Sequence, residues 1–223
     1  MEHSVVIIAL EYLEPEFAQT IQCLEKFNVP IIWAKRDGIG NMSRAFNEAF
    51  LYKLKETPSF STLPRYVWFT TNIICEDTLL PSLVKGMESS GFAAIHPAFR
   101  STHRPLRPDG SVDVKETPFI EFTAPIFRTE VFEKYYLDED LWYWWMDMDI
   151  SYKMKRDGYK LGVHHGACLT HSYLAEDNHN EISKIRYQMR TIMNREGEHK
   201  MKIIYGADWK DKLLCLKQQN KTY

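Results

Sequence analysis

Cysteine is scarce in this chain, and its spacing excludes several classes of protein. The 223 residues include four cysteines: Cys23, Cys75, Cys168 and Cys215. They lie far apart and form no CxxC pair, which argues against a cysteine zinc site and against a disulfide-dense miniprotein. We therefore expect reduced thiols that are buried as small apolar groups.

Long hydrophobic runs are also missing. No apolar run approaches the roughly 20 residues that span a bilayer, so we expect no transmembrane segment. The N-terminus leads into a short apolar run without a basic region or a small-residue cleavage site, so we expect no signal peptide. These absences predict a cytoplasmic location.

The charge is nearly balanced over the whole chain but uneven along it. The formal net charge is −2, and 44% of the residues are hydrophobic, which excludes wholesale disorder. From Asn180 to the end there are ten Lys/Arg against five Asp/Glu. This basic segment is either a solvated helical face or a surface for a polyanion or an anionic membrane.

Apolar periodicity predicts alternating strands and helices. We expect strands over 4–10, 29–34, 66–74 and 92–96, separated by helices over 14–27, 41–54 and 78–87. Further along we expect a loop over 99–116, a strand over 117–127, helices over 129–135 and 147–157, one or two short strands over 159–171, and a helix from 181. This order predicts an α/β fold with a mainly parallel sheet, in which ligands bind beyond the carboxyl ends of the strands.

A glycine-bearing turn precedes the helix predicted over 41–54. Asp37-Gly38-Ile39-Gly40 lies where backbone N–H groups at a helix N-terminus bind anions. The spacing matches neither a Walker loop nor a dinucleotide fingerprint. Two interpretations remain, an anion site or a turn before a capped helix.

Two carboxylates stand at the start of the helix predicted over 147–157. Asp147 and Asp149 are two residues apart, so they do not share one face of a regular helix. At a helix entrance both can still project into a crevice, where the positive helix end favours their ionised forms. One of them is then a base, or else simply an N-cap.

Histidines and aromatic residues gather on either side of this helix. His164, His165 and His171 provide a candidate metal ligand, and Asp and Asn partners would favour a hard divalent ion. Six aromatic residues occupy two short runs: Tyr135, Tyr136, Trp142, Tyr143, Trp144 and Trp145. Aromatic rings stack on the apolar faces of sugars and on bases, and they also fill cores.

Together, these segments resemble the GT-A-fold glycosyltransferases of the family 2 type over residues 4–175. The most specific stretch is 119–171, which contains RTEVFE, LDE, an acidic MDMD in place of EDxD, then GYK and the histidine of ACLTHSY. Upstream, Arg44-Ala45-Phe46-Asn47 is similar to the family's A-x-N helix. Residues 66–72 take the place of the strand that ends in a DxD motif.

The resemblance implies a role for each matching residue. Glu11 and Asp37 would contact the donor's base and ribose, while Asn72 would lie near the diphosphate and a metal ion. Asp147 would be the general base, supported by Asp149, and His171 would ligate the ion. The implied donor-binding set is Glu11, Asp37, Arg44, Asn47, Thr71 and Asn72, and the implied acceptor or lid set is Arg104, Arg107, Trp144 and Trp145.

Two positions depart from the family pattern. Thr70-Thr71-Asn72 replaces the DxD carboxylates, and an amide oxygen is a weaker ligand for a hard cation. Met146 stands where the family commonly has Glu. The cofactor implied is Mn²⁺ or Mg²⁺. The variant is more similar to small transferases of viral or surface-glycan type than to a processive polysaccharide synthase, and a viral chain would act in the host cytoplasm.

The resemblance implies an inverting transfer of a sugar from a nucleotide-sugar donor to an acceptor hydroxyl. The acceptor would be a glycan or, given the basic loop with Arg100 and His103, a nucleic acid such as viral DNA with a hydroxymethylated base. A non-catalytic binding protein on the same fold is the rival, and a nucleotidyltransferase is a weaker alternative. We expect a GT-A domain over 1–178 and a basic helical extension over 179–223 packed on it.

Overall fold

The computed structural model describes residues 4–11, 16–35, 40–55, 62–99, 114–142, 145–171 and 181–213. The strands are β1 (Val5–Leu10), β2 (Ile31–Ala34), β3 (Tyr66–Thr70), β4 (Ile73–Cys75), β5 (Ala94–Phe99), β6 (Val114–Glu116), β7 (Ile126–Arg128) and β8 (Leu161–His171). The helices are α1 (Glu16–Glu25), α2 (Met42–Glu48) with a π-helical continuation (Ala49–Leu54), α3 (Leu79–Ser90), α4 (Thr129–Tyr135), α5 (Met146–Arg156) and α6 (Glu181–Tyr205).

Within these residues the strands form one mixed sheet in the order β2-β1-β3-β7-β5-β8-β4, with β6 paired to β8. The pairs β1–β2, β1–β3 and β5–β8 are parallel, whereas β7, β4 and β6 pair antiparallel with their neighbours. β1, β2, β3, β5 and β8 therefore run in one direction. The expectation of a mainly parallel sheet flanked by helices is confirmed. We call the edge where these five strands end the C-terminal edge.

The central strands are buried on both faces. All six residues of β1 and all five of β3 are buried, as their continuous apolar runs predict. Successive side chains alternate between two apolar clusters, because the side-chain period of a strand is two. One cluster is covered by α2, α4, α5 and part of α6, and the other by α1 and α3.

Helix ends follow local signals in the sequence. The Asn41 side chain accepts a hydrogen bond from the Arg44 N–H at 2.9 Å, which caps α2. α3 ends at Gly91, whose φ of +69° is the left-handed conformation that glycine adopts at low cost. The helix predicted over 147–157 is α5, and Gly158 follows it with a φ of +86°.

Three segments differ from the predicted elements. The strand predicted over 66–74 divides at Thr71-Asn72, after which β4 leaves the neighbourhood of β3 and pairs with β8. The strand predicted over 117–127 is regular only at β7, where Pro125 marks its start, since proline cannot donate to a ladder. Residues 159–171 hold one long strand, and the predicted loop over 99–116 includes β6.

α6 packs against the same body as the sheet. Met193, Met201, Trp209 and Leu213, from α6 and the short helical turn after it, are all buried. The Tyr205 hydroxyl donates to the Asp149 carboxylate of α5 at 2.5 Å. None of the helices in the described part of the chain combines the length and apolar character needed to cross a bilayer.

Phe69 of β3 occupies the centre of an aromatic cluster. Its ring centroid lies 4.3 Å from that of Phe132, 5.2 Å from Phe46, 5.3 Å from Phe122 and 5.8 Å from Phe127. These rings come from β3, β7, α2, α4 and the segment that precedes β7. Their packing therefore joins β3, which is parallel to β1, to the antiparallel strand β7 and to the two helices that cover this face of the sheet.

We expect Phe69→Ala to lower the free energy of unfolding by about 3–5 kcal/mol, because it removes a fully buried ring and leaves a cavity. Urea unfolding followed by circular dichroism measures the change. The matched control is Tyr52→Ala, at an aromatic residue that is 60% exposed, which should change stability by less than about 0.5 kcal/mol. Equal effects of the two substitutions would contradict a core centred on Phe69.

Candidate active site at the C-terminal edge

The C-terminal edge of the sheet collects polar residues from separate parts of the chain. Glu11 follows β1, and its N–H donates to the carbonyl of Ala34 at the end of β2 at 3.0 Å. Thr71 and Asn72 follow β3 and are buried. Because β1, β2 and β3 are parallel neighbours, these positions meet at one edge. Asp37, expected beside them, lies outside the described residues.

The backbone brings Asn72 next to His171. β4 pairs antiparallel with the end of β8, and Ile73 lies opposite His171 in the register. The two residues that were predicted to hold an ion are thus neighbours, although 99 positions separate them in the sequence. Thr71 has a supporting contact as well, since its N–H and its hydroxyl both donate to the carbonyl of Thr123.

Asp147 lies in the first turn of α5 and is half-buried. One of its carboxylate oxygens accepts a hydrogen bond from the N–H of Met148 at 2.8 Å. Burial raises the pKa of the Asp147 carboxyl to about 6, against the stabilising effect of the backbone donors. A base that is ionised at neutral pH but still binds a proton readily suits general base catalysis.

Glu121 is a second carboxyl group in this region, and the sequence analysis did not select it. Burial and then the charge of Asp147 raise the pKa of Glu121 to about 7. The Ser151 hydroxyl holds the two segments together, because it accepts from the Ile120 N–H at 2.9 Å and donates to the Asp147 carbonyl at 2.5 Å. The sequence feature that could have identified Glu121 is that it is the one acidic residue inside the apolar run FIEFTAPIF.

Asp149 serves to hold α5 in place. It is fully buried, and one carboxylate oxygen accepts from the Lys153 ammonium at 2.6 Å while the other accepts from the Tyr205 hydroxyl at 2.5 Å. Both oxygens are therefore engaged by neighbouring side chains. The supporting part implied for Asp149 is compatible with these contacts, which make it a positioning residue.

Trp145 is packed against the protein rather than presented at the site entrance. Its indole N–H donates to the carbonyl of Asn194 at 2.9 Å, and its ring meets Trp209 edge-on with centroids 5.1 Å apart. These contacts fix the residue that precedes α5, at a φ of +73°. An acceptor platform at Trp145 is not supported by them, and Trp144, Arg104 and Arg107 lie outside the described residues.

Arg44 and Asn47 of α2 hold the turn at 137–139. The Asn47 amide accepts from the Leu137 N–H at 3.0 Å and donates to the Leu137 carbonyl at 2.9 Å and to the Glu139 carboxylate. Arg44 forms an ion pair with Glu139 at 3.1 Å. We therefore assign Asn47 to the support of this turn, whereas donor contact by the more exposed Arg44 stays a prediction.

His164 and His165, the other histidines of β8, are part of the sheet. His164 is fully buried, and its ring lies close to Gly86 of α3. Burial lowers the pKa of His96 on the neighbouring strand to about 4. Among the described residues, no three His, Cys, Asp or Glu side chains group as a metal site would require.

The comparisons with known proteins identify the fold. No protein-family model and no curated protein sequence matches the chain. Solved structures do match. GalNAc-T7 with UDP, GalNAc and Mn²⁺ aligns with a TM-score of 0.52 and 9% identity over 76% of this chain and 43% of that one. TarS of S. aureus aligns with a TM-score of 0.55 and 13% identity over 90% of this chain and 42% of that one. A TarS structure of residues 1–349 aligns over 91% of this chain and 69% of that one, with a TM-score of 0.50 and 12% identity.

These neighbours are GT-A-fold glycosyltransferases, so the chain has the GT-A fold. The chain spans less than half the length of GalNAc-T7 and of the longer TarS structure. At 9–13% identity the likeness concerns the arrangement of helices and strands. What the site does must be argued from its own residues.

The raised pKa of Asp147 predicts a pH-dependent cost in stability. The folded state binds this proton more tightly than the unfolded chain, so stability falls as the pH rises from about 4 to about 6. We expect Asp147→Asn to stabilise the protein by roughly 2–3 kcal/mol at pH 8 and by much less at pH 4. Urea unfolding at both pH values measures the difference.

The matched control is Asp157→Asn at the other end of α5. Hydrogen bonds from Tyr135, Lys134 and Arg156 lower the pKa of Asp157 to about 2, so its contribution has the opposite sign. This substitution should destabilise the protein at pH 8. A loss of stability at pH 8 for Asp147→Asn would show that Asp147 is not the buried, proton-binding carboxyl described above.

Proposed function

We propose that this chain is an inverting glycosyltransferase that uses a nucleotide-sugar donor and Asp147 as its general base. The observation that carries the proposal is a half-buried carboxylate with a pKa of about 6. Ser151 joins it to the 120–123 segment, which accepts hydrogen bonds from Thr71 at the C-terminal edge of the GT-A sheet. This is the edge at which ligands of open α/β sheets bind. The GT-A fold of the chain supports the same reaction class.

The proposed reaction uses Asp147 as the base, with Glu121 beside it. Above about pH 6 the Asp147 carboxylate accepts the proton of the acceptor hydroxyl. The oxygen of that hydroxyl attacks the anomeric carbon of the donor sugar at the same time. The bond from that carbon to the diphosphate oxygen breaks, and the nucleoside diphosphate leaves from the opposite face. The configuration is inverted by this in-line displacement. Near neutral pH Glu121 retains a proton part of the time, which limits the negative charge beside the base.

The donor would bind along the ends of β1, β2 and β3. Glu11 and Asp37 are the proposed contacts to the nucleoside, and Thr71 and Asn72 lie where the diphosphate would pass. Asn72 and His171, adjacent through the β4–β8 register, would hold Mn²⁺ or Mg²⁺. An amide oxygen and an imidazole make an incomplete ligand set, so the diphosphate oxygens would have to supply the rest. A bound ion would offset charge on the diphosphate, and GalNAc-T7 was solved with Mn²⁺.

A non-catalytic nucleotide-sugar or glycan-binding protein is the second candidate. The specific observation in its favour is that Thr71 and Asn72 are neutral where the transferase family has carboxylates. Such a protein would keep donor binding without turnover. Measurements of donor binding and of turnover on the same variants therefore separate the two candidates.

We expect Asp147→Asn to lower kcat by about 10²–10⁴-fold while donor affinity changes little, because the amide cannot accept the acceptor's proton. Release of nucleoside diphosphate in the presence of acceptor measures kcat, and calorimetric titration measures donor binding. Asp157→Asn, with the same change of side chain at the exposed end of α5, should retain wild-type kcat. An unchanged kcat in Asp147→Asn would rule out Asp147 as the base.

Ion binding is tested by thermal shift with a panel of nucleoside diphosphates and their sugar conjugates. A ligand at about 100 times its Kd stabilises the folded state by roughly 2.7 kcal/mol. We expect the preferred diphosphate to give a larger shift with Mn²⁺ than with EDTA, and Asn72→Asp to enlarge the Mn²⁺-dependent part, since a carboxylate binds the ion more strongly. Equal shifts with Mn²⁺ and with EDTA in both proteins would remove the ion from the proposal.

A further inference from the structure

We infer that the acceptor is a neutral glycan, one sugar ring of which stacks on Trp142 beside Asp147. This inference rests on the proposed function and specifies its acceptor. Of the six aromatic residues in the two runs around 135–145, the structure describes Tyr135, Tyr136, Trp142 and Trp145. Tyr135 packs on Tyr159, Tyr136 on Phe50 and Trp145 on Trp209. Trp142, by contrast, is 48% exposed.

The backbone of Trp142 is nevertheless firmly held. Its carbonyl accepts a hydrogen bond from the N–H of Met42 at the start of α2, at 2.9 Å. A large exposed apolar ring on a fixed backbone loses little conformational freedom when a ligand packs on it. A sugar presents an apolar C–H face of the kind that packs on such a ring.

Ser43 places Trp142 close to the base. The Ser43 hydroxyl donates to the carbonyl of Leu141 at 2.6 Å and lies 3.0 Å from the sulfur of Met146. Leu141 directly precedes Trp142, and Met146 directly precedes Asp147. Both ends of this loop therefore contact one buried hydroxyl. In the inferred complex, a sugar ring on Trp142 and the hydroxyl deprotonated by Asp147 would belong to one bound acceptor.

The charges around Trp142 favour a neutral acceptor over a nucleic acid. Three consecutive acidic residues, Asp138, Glu139 and Asp140, stand just before Leu141-Trp142, and Asp147 and Glu121 add further acidic groups. The basic partners here are engaged, because Arg44 pairs with Glu139, and Lys200 pairs with both Asp138 and Asp140. Three acidic side chains against two basic ones leave this turn with one net negative charge, and Asp147 adds another. A phosphate backbone entering this region would therefore meet a net negative charge.

The basic C-terminal segment does not reverse this argument. In its described part Lys202 and Lys210 both pair with Glu198, and Lys212 pairs with Asp208. Together with Lys200, each of these lysines forms an ion pair within the protein. The net charge around Trp142 thus favours a glycan without phosphate or sulfate groups.

The test is binding and turnover with an array of neutral, sulfated and phosphorylated glycans, alongside single-stranded DNA that contains 5-hydroxymethylcytosine. In the presence of the nucleoside diphosphate that gives the largest thermal shift, the wild-type protein should bind neutral glycans and should not bind the DNA. Trp142→Ala should weaken glycan binding and raise acceptor KM by about tenfold or more, whereas Trp142→Phe should keep most of the affinity. Tyr52→Ala, at another exposed aromatic residue, should leave both unchanged.

The readouts separate this inference from the proposed function. Donor affinity, measured by calorimetry, should be equal in wild type and Trp142→Ala, and the Asp147→Asn protein should still bind the array glycans. Glycan binding that depends on Trp142, without any turnover, would contradict the proposed transferase function but support the glycan site at Trp142. Preference for the DNA or for charged glycans, or an unchanged acceptor affinity in Trp142→Ala, would overturn the glycan site itself.

Discussion

The buried hydroxyl of Ser151 joins the two chain segments that carry the acidic side chains of the site. It accepts from the Ile120 N–H and donates to the Asp147 carbonyl, so the start of α5 and the segment before β7 are fixed to each other. Without this link a buried N–H would lose its partner, which typically costs 1–3 kcal/mol. The proximity of Glu121 to Asp147, which adds to the effect of burial in raising the pKa of Glu121, depends on this contact.

A second set of contacts fixes α5 from the opposite side. Tyr205 bonds to Asp149, and Trp145 packs on Trp209, so α6 and the turn after it hold both the first turn of α5 and the residue before it. Asp147, the proposed base, thus lies on a helix whose neighbours restrict its movement. Burial of Asp147 and Glu121 costs stability at neutral pH, which is a common feature of functional sites. The aromatic cluster around Phe69 and the buried central strands offset that cost.

The parts of the site that we propose for the donor and for the acceptor are built differently. On the donor side, neutral residues follow β3, and Asn72 gains His171 as a neighbour through the β4–β8 pairing. On the acceptor side, acidic residues and one exposed tryptophan follow the turn that α2 holds. The first arrangement makes any bound ion dependent on the diphosphate for its ligands. The second arrangement would, under the proposed function, select acceptors by apolar contact and against negative charge.

The sequence by itself determined the local elements and the positions of the residues that end them. The periodicity of the apolar residues predicted the six helices α1 to α6 and most strands in the described part of the chain. The reason is that the spacing of apolar residues along a segment follows which of its faces are buried. The acidic start of α5, the cap at Asn41 and the glycine after α5 could be predicted for the same reason. The GT-A resemblance followed from motifs within one stretch of the chain.

Only the tertiary structure decided which of these residues meet. That Glu121 approaches Asp147, that Asn47 holds a turn and that Trp145 packs inward while Trp142 stays exposed depends on contacts between residues far apart in the sequence. The division of the strand predicted over 66–74 has the same origin, since β4 pairs with β8 almost a hundred residues later. Local spacing contains no information about such register, which is fixed by how the two faces of the sheet are buried.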